Sequence, residues 1–470
     1  MMKADKDADL MMSPETLRDE NREFYRKLMI TGFPMIVQQV IGMSLNLADT
    51  IMVGKVSEEA LAAVGAANQV YFIFGIILFG LYSGASVIAV QYWGIGDLKM
   101  LRRIVGIDYT MCMVLAVPGT IFAFLAAPFL ITIFSDDGLV LELGVSYLRI
   151  ACFSYVFSGL TFVISYNSRV IRDVKRPTVI NACAILLNII LNYLLIYGKC
   201  GFPQMGVQGA AIATLTARIA ECVAMMMSVY LRKEYPLKAG ISELFDYSPQ
   251  LFVRVMKTAI PVVLGEGIWA LSVSTIFAAY GRISAAALAV SQIAVTVTDF
   301  FQTIYFGIGN ASAVFVGEEI GKGKKEKAFR YSKNIIKVTW GLNIVMTTVL
   351  IFLRAPIAAI YDFEPETTTM LMEALFVYAL LLTPKMFNYM IICGILRTGG
   401  DTVYTTVVDS AINVFMQIPL AFIGVLVLKW PLSWVMALSA IADLLKVFLL
   451  FRRYYSKSWM TVFTGREEKD

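Results

Sequence analysis

The chain has 470 residues, of which 58% are hydrophobic and only 16% are charged, a composition that excludes an ordinary soluble protein and indicates a polytopic membrane protein. A net charge of +5 is too small to indicate a nucleic-acid partner. Histidine is absent and the six cysteines lack metal-site spacing, so carboxylates remain for proton chemistry and no disulfide or cofactor is expected.

The first predicted element covers residues 28–53, after a polar segment (1–27) without a signal-peptide pattern. It is long enough to cross a bilayer, yet Gln38, Asn46 and Asp49 share one helical face with Pro34. An acid within a membrane helix costs about 3 kcal/mol, which favours a functional role for Asp49. The alternative is that Asp49 sits at the membrane interface, solvated or as a cap.

Apolar runs predict twelve spans in all, and the loops between them alternate in charge. Basic loops, for example Arg102 with Arg103 and residues 322–337, fall on one side, so both termini are expected in the cytoplasm. The predicted spans are 28–53, 61–91, 104–128, 141–168, 178–198, 207–231, 254–280, 286–317, 334–353, 370–395, 402–428 and 432–451.

The sequence also repeats itself. An offset of 227 residues carries Pro34 onto Pro261 and Gly96 onto Gly323, and later an offset of 225 carries Asn188 onto Asn413. The predicted fold class is therefore an all-α polytopic membrane protein with twelve transmembrane helices in two six-helix lobes, related by a pseudo-two-fold axis along the membrane normal. The expected segments are a cytoplasmic N-terminal segment (1–27), an N-lobe (28–232), a cytoplasmic linker (233–250), a C-lobe (251–455) and a cytoplasmic tail (456–470).

Polar residues in the N-lobe spans form one candidate site. Asn188 and Asn192 lie on one face of the fifth span, and the sixth carries Thr214 behind a run of small residues. Together with Asp49 they offer the hard oxygen ligands that an alkali cation or a shared proton requires. The alternative is that they only form hydrogen bonds between closely packed helices.

The C-lobe spans contain more charge. Glu266, Asp299, Lys385 and Asp409 lie in apolar helices, so we expect them to face a common cavity, to pair in part and to bind a cation or substrate. For Asp409, a fixed structural pair with Lys385 is an equal alternative. Asp443 and Lys446, near the end of the twelfth span, are interpreted as interfacial.

Aromatic and polar side chains on these faces suggest a cavity for an amphipathic organic cation, held by stacking and cation–π attraction. The alternative for each aromatic is simple packing. The residues proposed to line the cavity are Gln38, Tyr71, Phe72, Tyr82, Trp269, Gln292, Tyr305 and Asn413.

Several motifs resemble the multidrug and toxic compound extrusion (MATE) family across nearly the whole chain. They are P-x-x-x-Q from Pro34, ADTIMVGKVSEEALAAVG from Ala48, NIILNYLLIYGKCGFPQMGVQGAAIAT from Asn188 and GILRTGGDT from Gly394. The resemblance implies a transporter that exports drugs and metabolic products, often organic cations, in exchange for Na⁺ or H⁺ by alternating access.

The resemblance also implies an N-lobe cation site at Asp49, Asn188, Asn192 and Thr214, although some members carry aspartate where this chain has Asn192. The family's C-lobe glutamate, eight residues after the proline of the seventh helix, corresponds to Trp269 here. The partner aspartate of the tenth helix is missing as well, so Glu266, Asp299 and Asp409 are nominated from their chemistry alone.

The sequence therefore predicts a cation-coupled antiporter in the plasma (inner) membrane that is not an enzyme, with a small organic substrate and the lipid bilayer as its partners. It is expected to be a monomer, with no nucleic-acid partner, no cofactor and no metal beyond Na⁺ as coupling ion. One alternative is a flippase for lipid-linked precursors, which would need cationic side chains in the spans for a pyrophosphate. A membrane enzyme or receptor would need a catalytic constellation or an extramembrane domain, neither of which the sequence indicates.

Overall fold

The computed structural model describes residues 13–135, 137–361 and 363–464, except for the side chains at positions 14, 43–49 and 285. All regular structure in these ranges is helical. The helices that correspond to the twelve predicted spans are, in order, Pro14–Gly54, Glu58–Ile95, Leu98–Leu125, the pair Gly138–Ala151 and Ser154–Val170, Lys175–Tyr197, Gly206–Tyr230, Pro249–Gly281, Ala285–Gly321, Lys325–Ala358, Pro365–Ile391, Thr402–Ile412 with its continuation to Val427, and Leu432–Tyr455.

Among the described residues, ten helices are individually long and apolar enough to cross a membrane. The fourth span adds an eleventh if its two helices, which meet at 49°, are counted together. At this bend Ser154 donates its hydroxyl to the carbonyl of Ala151 at 2.6 Å, a local bond that competes with regular helix geometry. The first helix, Pro14–Gly54, begins well before the predicted limit at residue 28.

Irregular turns interrupt two spans of the second half. The tenth span continues through a π-helical turn, Ile392–Leu396, and a 3₁₀ turn, Arg397–Gly399. The eleventh contains two π-helical turns, Asn413–Gln417 and Ile423–Val427, on either side of Ile418–Phe422. Such turns are rare and often mark functional segments.

The internal repeat is visible in the helix ends. Ser57 and Ser284, 227 positions apart, both have extended backbone and cap the second and eighth spans by accepting from the third amide that follows. Gly96 and Gly323, again 227 positions apart, follow the same two spans with φ of 79° and 76°, a conformation that glycine adopts without strain. A turn with the same glycine conformation thus follows each of these two repeat-related spans.

The residues divide into two compact units, 37–259 and 1–36 with 260–470. The divisions fall inside the first and seventh helices, close to Pro34 and Pro261, where a proline ring removes a backbone donor. The first unit holds most of spans one to six, and the second holds spans eight to twelve and most of the seventh.

Candidate functional site

Three neutral polar side chains on the fifth and sixth spans form the N-lobe cluster. Asn188 Nδ2 donates to Thr214 Oγ1 at 3.4 Å, and Asn192 Nδ2 donates to Asn188 Oδ1 at 3.1 Å. Asn188 and Asn192 are 3% and 1% exposed. The structure therefore brings together three of the four N-lobe residues that the resemblance implies.

Close helix packing holds this cluster in place. A Cβ atom on Gly209 would lie 2.7 Å from the carbonyl carbon of Leu195, so this approach of the two spans requires a glycine. The Tyr197 hydroxyl donates to the Met52 carbonyl at 2.8 Å and joins the end of the fifth span to the last turn of the first. Asp49 belongs to that helix, but its side chain lies outside the described residues.

Gln38 forms two hydrogen bonds with side chains of the fourth span. Its Nε2 donates to Ser165 Oγ at 3.4 Å, and its Oε1 accepts from Arg169 at 3.2 Å. The Arg169 guanidinium in turn lies 4.6 Å from the centre of the Tyr166 ring. The amide of Gln38 is thus oriented by a donor and an acceptor of the same helix.

Glu266 pairs with Arg397 in the second unit, at 3.1 Å between Oε1 and Nη1. Arg397 lies in the 3₁₀ turn after the tenth span, and its side chain is only 9% exposed. A buried guanidinium needs a charge partner, so Glu266 neutralises it within the protein.

Asp409 is paired as well, but with a residue that the sequence interpretation placed elsewhere. Lys446 Nζ lies 2.7 Å from Asp409 Oδ1 and 2.9 Å from Asn413 Oδ1, while Asn413 Nδ2 donates to Asp409 Oδ2 at 3.2 Å. The alternative in which Lys385 neutralises Asp409 is therefore wrong. Lys446 and Asp443 are 5% and 4% exposed, so both are buried within the protein and take part in this polar cluster.

Asp299 and Lys385 form no salt bridge in the described part of the chain. Asp299 Oδ1 accepts from Gln302 Nε2 at 3.1 Å, one turn along the same helix. The Lys385 ammonium lies 4.9 Å from the centre of the Tyr378 ring, a cation–π distance. The four nominated charges of the C-lobe thus have separate partners: Arg397, Gln302, Tyr378 and Lys446.

The residues proposed to line a substrate cavity differ in exposure. Tyr82, Tyr305 and Asn413 are at most 2% exposed and are part of the packed interior. Tyr71 is half-buried, with its ring 5.4 Å from that of Tyr155. The exposed members are Phe72, Trp269 and Gln292.

Two buried acids in the first unit were missed by the sequence interpretation. Asp108 is 2% exposed; its Oδ2 accepts from Asn167 Nδ2 at 2.8 Å, and its Oδ1 has no donor among the residues that the structure describes. Glu221 pairs with Arg218 at 2.8 Å and accepts from Asn181 at 2.9 Å. The available signal was an acid inside an apolar span, the same signal that pointed to Asp49.

Comparison with known proteins agrees with this architecture. The chain is 27% identical to the probable multidrug resistance protein NorM of Thermotoga maritima over 74% of this chain and 75% of that protein. It is 25% identical to the probable multidrug resistance protein YoeA of Bacillus subtilis, over 87% and 88% of the two chains.

A solved structure, the outward-facing conformation of a multidrug resistance MATE family transporter of the MOP superfamily, superposes with a TM-score of 0.84 at 19% identity, over 92% of this chain and 96% of that one. The predicted all-helical, twelve-span, two-lobe fold is thereby confirmed. The sequence profile of the family described as MatE matches residues 34–194 and 263–423, one match in each half. The chain is therefore a multi-pass membrane transporter, not an enzyme, and belongs to the MatE family.

Proposed function

We propose that this protein is a secondary active antiporter that exports drugs or other amphipathic organic cations in exchange for Na⁺ or H⁺ by alternating access. Membership of the MatE family supports the reaction class, and relatives named as probable multidrug resistance proteins support the cargo. The observation that carries the proposal is the cluster of the buried Asn188 and Asn192 with the half-buried Thr214 on two closely packed spans.

The coupling ion is proposed to bind in the N-lobe. Amide and hydroxyl oxygens are the hard ligands that Na⁺ prefers, and an acid beside them would supply the negative charge that either Na⁺ or a proton neutralises. Asp49 is proposed as that acid. An ion that binds more tightly in one state than in the other shifts the balance between them, which is how a gradient would drive export.

The test is gradient-driven efflux from proteoliposomes with a fluorescent organic cation as cargo and Na⁺ and proton gradients imposed separately. Asp49→Asn is expected to abolish efflux under the coupling gradient while the purified protein elutes and melts like the original. Glu58→Gln, an exposed acid in the first turn of the second span, is the matched control and should transport normally. Unchanged efflux in Asp49→Asn would overturn the assignment of Asp49.

A flippase for lipid-linked precursors is the second candidate function, and the ion pairs within the spans argue against it. Such a substrate carries a pyrophosphate and needs cations that are not already neutralised. Arg218, Arg397 and Lys446 each lie beside a carboxylate, so of the four cations Arg218, Lys385, Arg397 and Lys446 only Lys385, which lies over the Tyr378 ring and forms no salt bridge within the described residues, stays available for a pyrophosphate. An efflux assay that shows movement of a lipid pyrophosphate and none of an organic cation would reverse this ranking.

The remaining expectations are part of the same proposal. We place the protein in the cell membrane with both termini in the cytoplasm, on the strength of its basic loops. It is proposed to act as a monomer, without a cofactor other than the coupling ion and without a nucleic-acid partner.

A further inference from the structure

The charged cluster of the eleventh and twelfth spans contains one more acid than base. Lys446 lies 2.7 Å from Asp409 and 3.7 Å from Asp443, so a single ammonium faces two carboxyl groups. In the described part of the chain no other cation lies within 4.0 Å of either acid. A buried carboxylate without a cation of its own is unfavourable, which favours a proton on the more deeply buried of the two acids.

The other half of the molecule offers an internal comparison. The offset of 225 that relates Asn188 to Asn413 carries Arg218 onto Asp443 and Glu221 onto Lys446, so both halves have an ion pair one helical turn apart, with the charges in opposite order. The pair in the sixth span is closed at 2.8 Å. The corresponding distance in the twelfth span, between Lys446 and Asp443, is 3.7 Å, because Lys446 lies closer to Asp409.

Hydrogen bonding identifies the acid that is left over. Both oxygens of Asp409 accept bonds, one from Lys446 and one from Asn413, as expected of a carboxylate. Asp443 Oδ1 accepts one long bond from Asn388 at 3.4 Å, and its buried Oδ2 has no hydrogen-bond partner in the described part of the chain. The side chain of Asp443 is only 6% exposed. Asp443 is thus the acid that has the weaker contact with the one ammonium the two acids share.

Among the described residues, the groups around Asp443 on neighbouring helices do not supply a second positive charge. The eleventh span presents Asp409 and Asn413, the tenth presents Asn388 and the Tyr378 phenol, and the seventh presents the Tyr280 phenol. Phenols and amides are neutral at physiological pH. The charge of this region is therefore set by the two acids and Lys446.

We propose that Asp443 is a proton-binding site of the C-lobe and that Lys446 moves from Asp409 to Asp443 when this proton leaves. In the protonated state Asp443 is a neutral acid and Lys446 neutralises Asp409. Loss of the proton to solvent leaves a carboxylate 3.7 Å from the ammonium, which then closes the distance as Arg218 and Glu221 do. No covalent bond changes other than the O–H bond of the acid.

This has a consequence for transport, which rests on the proposed function. Binding of a proton at Asp443 and binding of cargo at Asp409 exclude each other, although the two use different carboxylates. Asp409 is 20% exposed, whereas Asp443 is 6% exposed, so the acid that loses Lys446 is the more accessible one. A freed Asp409 would attract an organic cation, and return of the proton would restore Lys446 to Asp409. Asn413 also bonds Lys446 and opens a π-helical turn, so the move alters contacts where the eleventh span is irregular.

Infrared spectroscopy of the purified full-length protein in lipid at neutral pH tests the protonation, because a protonated carboxyl has its own C=O stretching band. Asp443→Asn should lose the intensity of one such group. Lys446→Met should gain one, since both acids would then be neutral. Glu221→Gln removes an acid that is already paired with Arg218, so it should leave the intensity of this band unchanged. An unchanged band in Asp443→Asn would overturn the proposal.

Binding of tetraphenylphosphonium, a lipophilic organic cation, tests the exchange. The original protein should bind it more weakly as the pH falls. Asp443→Asn, which keeps Lys446 on Asp409, should bind at least about tenfold more weakly at high pH, equivalent to about 1.4 kcal/mol, and should lose the pH dependence. Wild-type affinity and pH dependence in this variant would contradict the role of Asp443 even if the infrared band is as expected.

Neither measurement requires an ion gradient, so this proposal and the antiport function can fail separately. Efflux that depends on Asp49, together with an unaltered infrared band in Asp443→Asn, would leave the antiporter and remove this site. The infrared and binding results without any gradient-driven efflux would leave the site and remove the antiporter.

Discussion

Arg218 and Glu221 lie one helical turn apart on the sixth span, and their 2.8 Å contact illustrates how charges are tolerated inside this protein. Glu266 with Arg397 and Asp409 with Lys446 follow the same rule in the other unit. Removal of one member would leave the other buried with less compensation, which typically costs about 3–5 kcal/mol. These side chains are therefore constrained by folding before any role in transport is considered.

A glycine permits the close contact between the third span and the linker. A Cβ atom on Gly106 would lie 1.7 Å from the Leu244 carbonyl oxygen, a backbone atom that cannot rotate away. We expect Gly106→Ala to displace the linker and to lower the free energy of unfolding by about 1–3 kcal/mol, the usual cost of overpacking. Thermal unfolding of the purified protein measures the loss, and limited proteolysis of the linker should accelerate.

Gly75→Ala provides the matched control, because a Cβ atom there would meet nothing within 4 Å. Alanine exceeds glycine in helix propensity by up to about 1 kcal/mol, so this variant should be as stable as the original or more stable. Equal melting temperatures for the two variants would show that the linker does not pack against Gly106 in the membrane.

Individual acids could be found from the sequence, but their partners could not. An aspartate inside an apolar span is visible by composition, as Asp409 was. Its partner, Lys446, lies 37 residues further along, and only the packing of two helices brings the side chains together. Asp108 is a similar case, since nothing in its local sequence indicates the bond from Asn167.

At the scale of helices and segments, two arginines at repeat-related positions hold the polar segments that precede the first and seventh spans. Arg330 lies 3.0 Å from Glu20 in one unit, and Arg103, 227 positions earlier, lies 2.5 Å from Asp246 in the other. The hydrogen bond from Arg103 lowers the pKa of Asp246 below its ordinary value. This contact is therefore complete at neutral pH and is lost only as acidification protonates the aspartate.

The contact of Glu20 with Arg330 can be measured by a double-mutant cycle with Glu20→Ala and Arg330→Ala. The two side chains are 12% and 22% exposed, so we expect a coupling energy of about 1 kcal/mol, at the upper end for pairs that water reaches. The measurement is the melting temperature of the four purified proteins. The same cycle on Lys27 and Glu23, an exposed pair on one helix, should give less than half of that value. Equal coupling energies in the two cycles would mean that Glu20 does not pack against Arg330 on the ninth span.

The apolar pattern predicted most spans but not their polar extensions. The first helix begins at Pro14 because its polar turns find partners such as Lys327 and Asn334, and a hydropathy pattern contains no information about those contacts. The π-helical turns were likewise not predictable, since Asn413–Gln417 has no local signature that separates it from an α-helix.

At the scale of the whole molecule, the repeat and the motifs together predicted the family and the two-lobe fold. The family profile matches 34–194 and 263–423, separated by nearly the offset that the prolines show in the sequence. Fold follows from such signals because a duplicated hydrophobic pattern constrains every span at once. The specific coupling ion does not follow, because it depends on single side chains and their protonation.

The orientation of the chain in the membrane is predicted from the positive charge of its loops. Basic loops place both termini in the cytoplasm, which puts the loop after the fifth span on the outside. Cys200 lies in that loop and is exposed, whereas Cys112, Cys152 and Cys222 are buried. A thiol reagent that cannot cross membranes therefore has Cys200 as its exposed target in a loop, while the exposed Cys183 and the half-buried Cys393 lie within the fifth and tenth spans.

A membrane-impermeant maleimide should label intact cells that express the protein, and Cys200→Ser should remove this labelling. In the Cys200→Ser background, Ser458→Cys places a thiol at an exposed position after the twelfth span, and it should react only after the cells are permeabilised. The charge bias acts during insertion and fixes every span once the overall orientation is set, so two positions suffice. Labelling of Ser458→Cys in intact cells, or of Cys200 only after permeabilisation, would invert the topology and with it the direction of export.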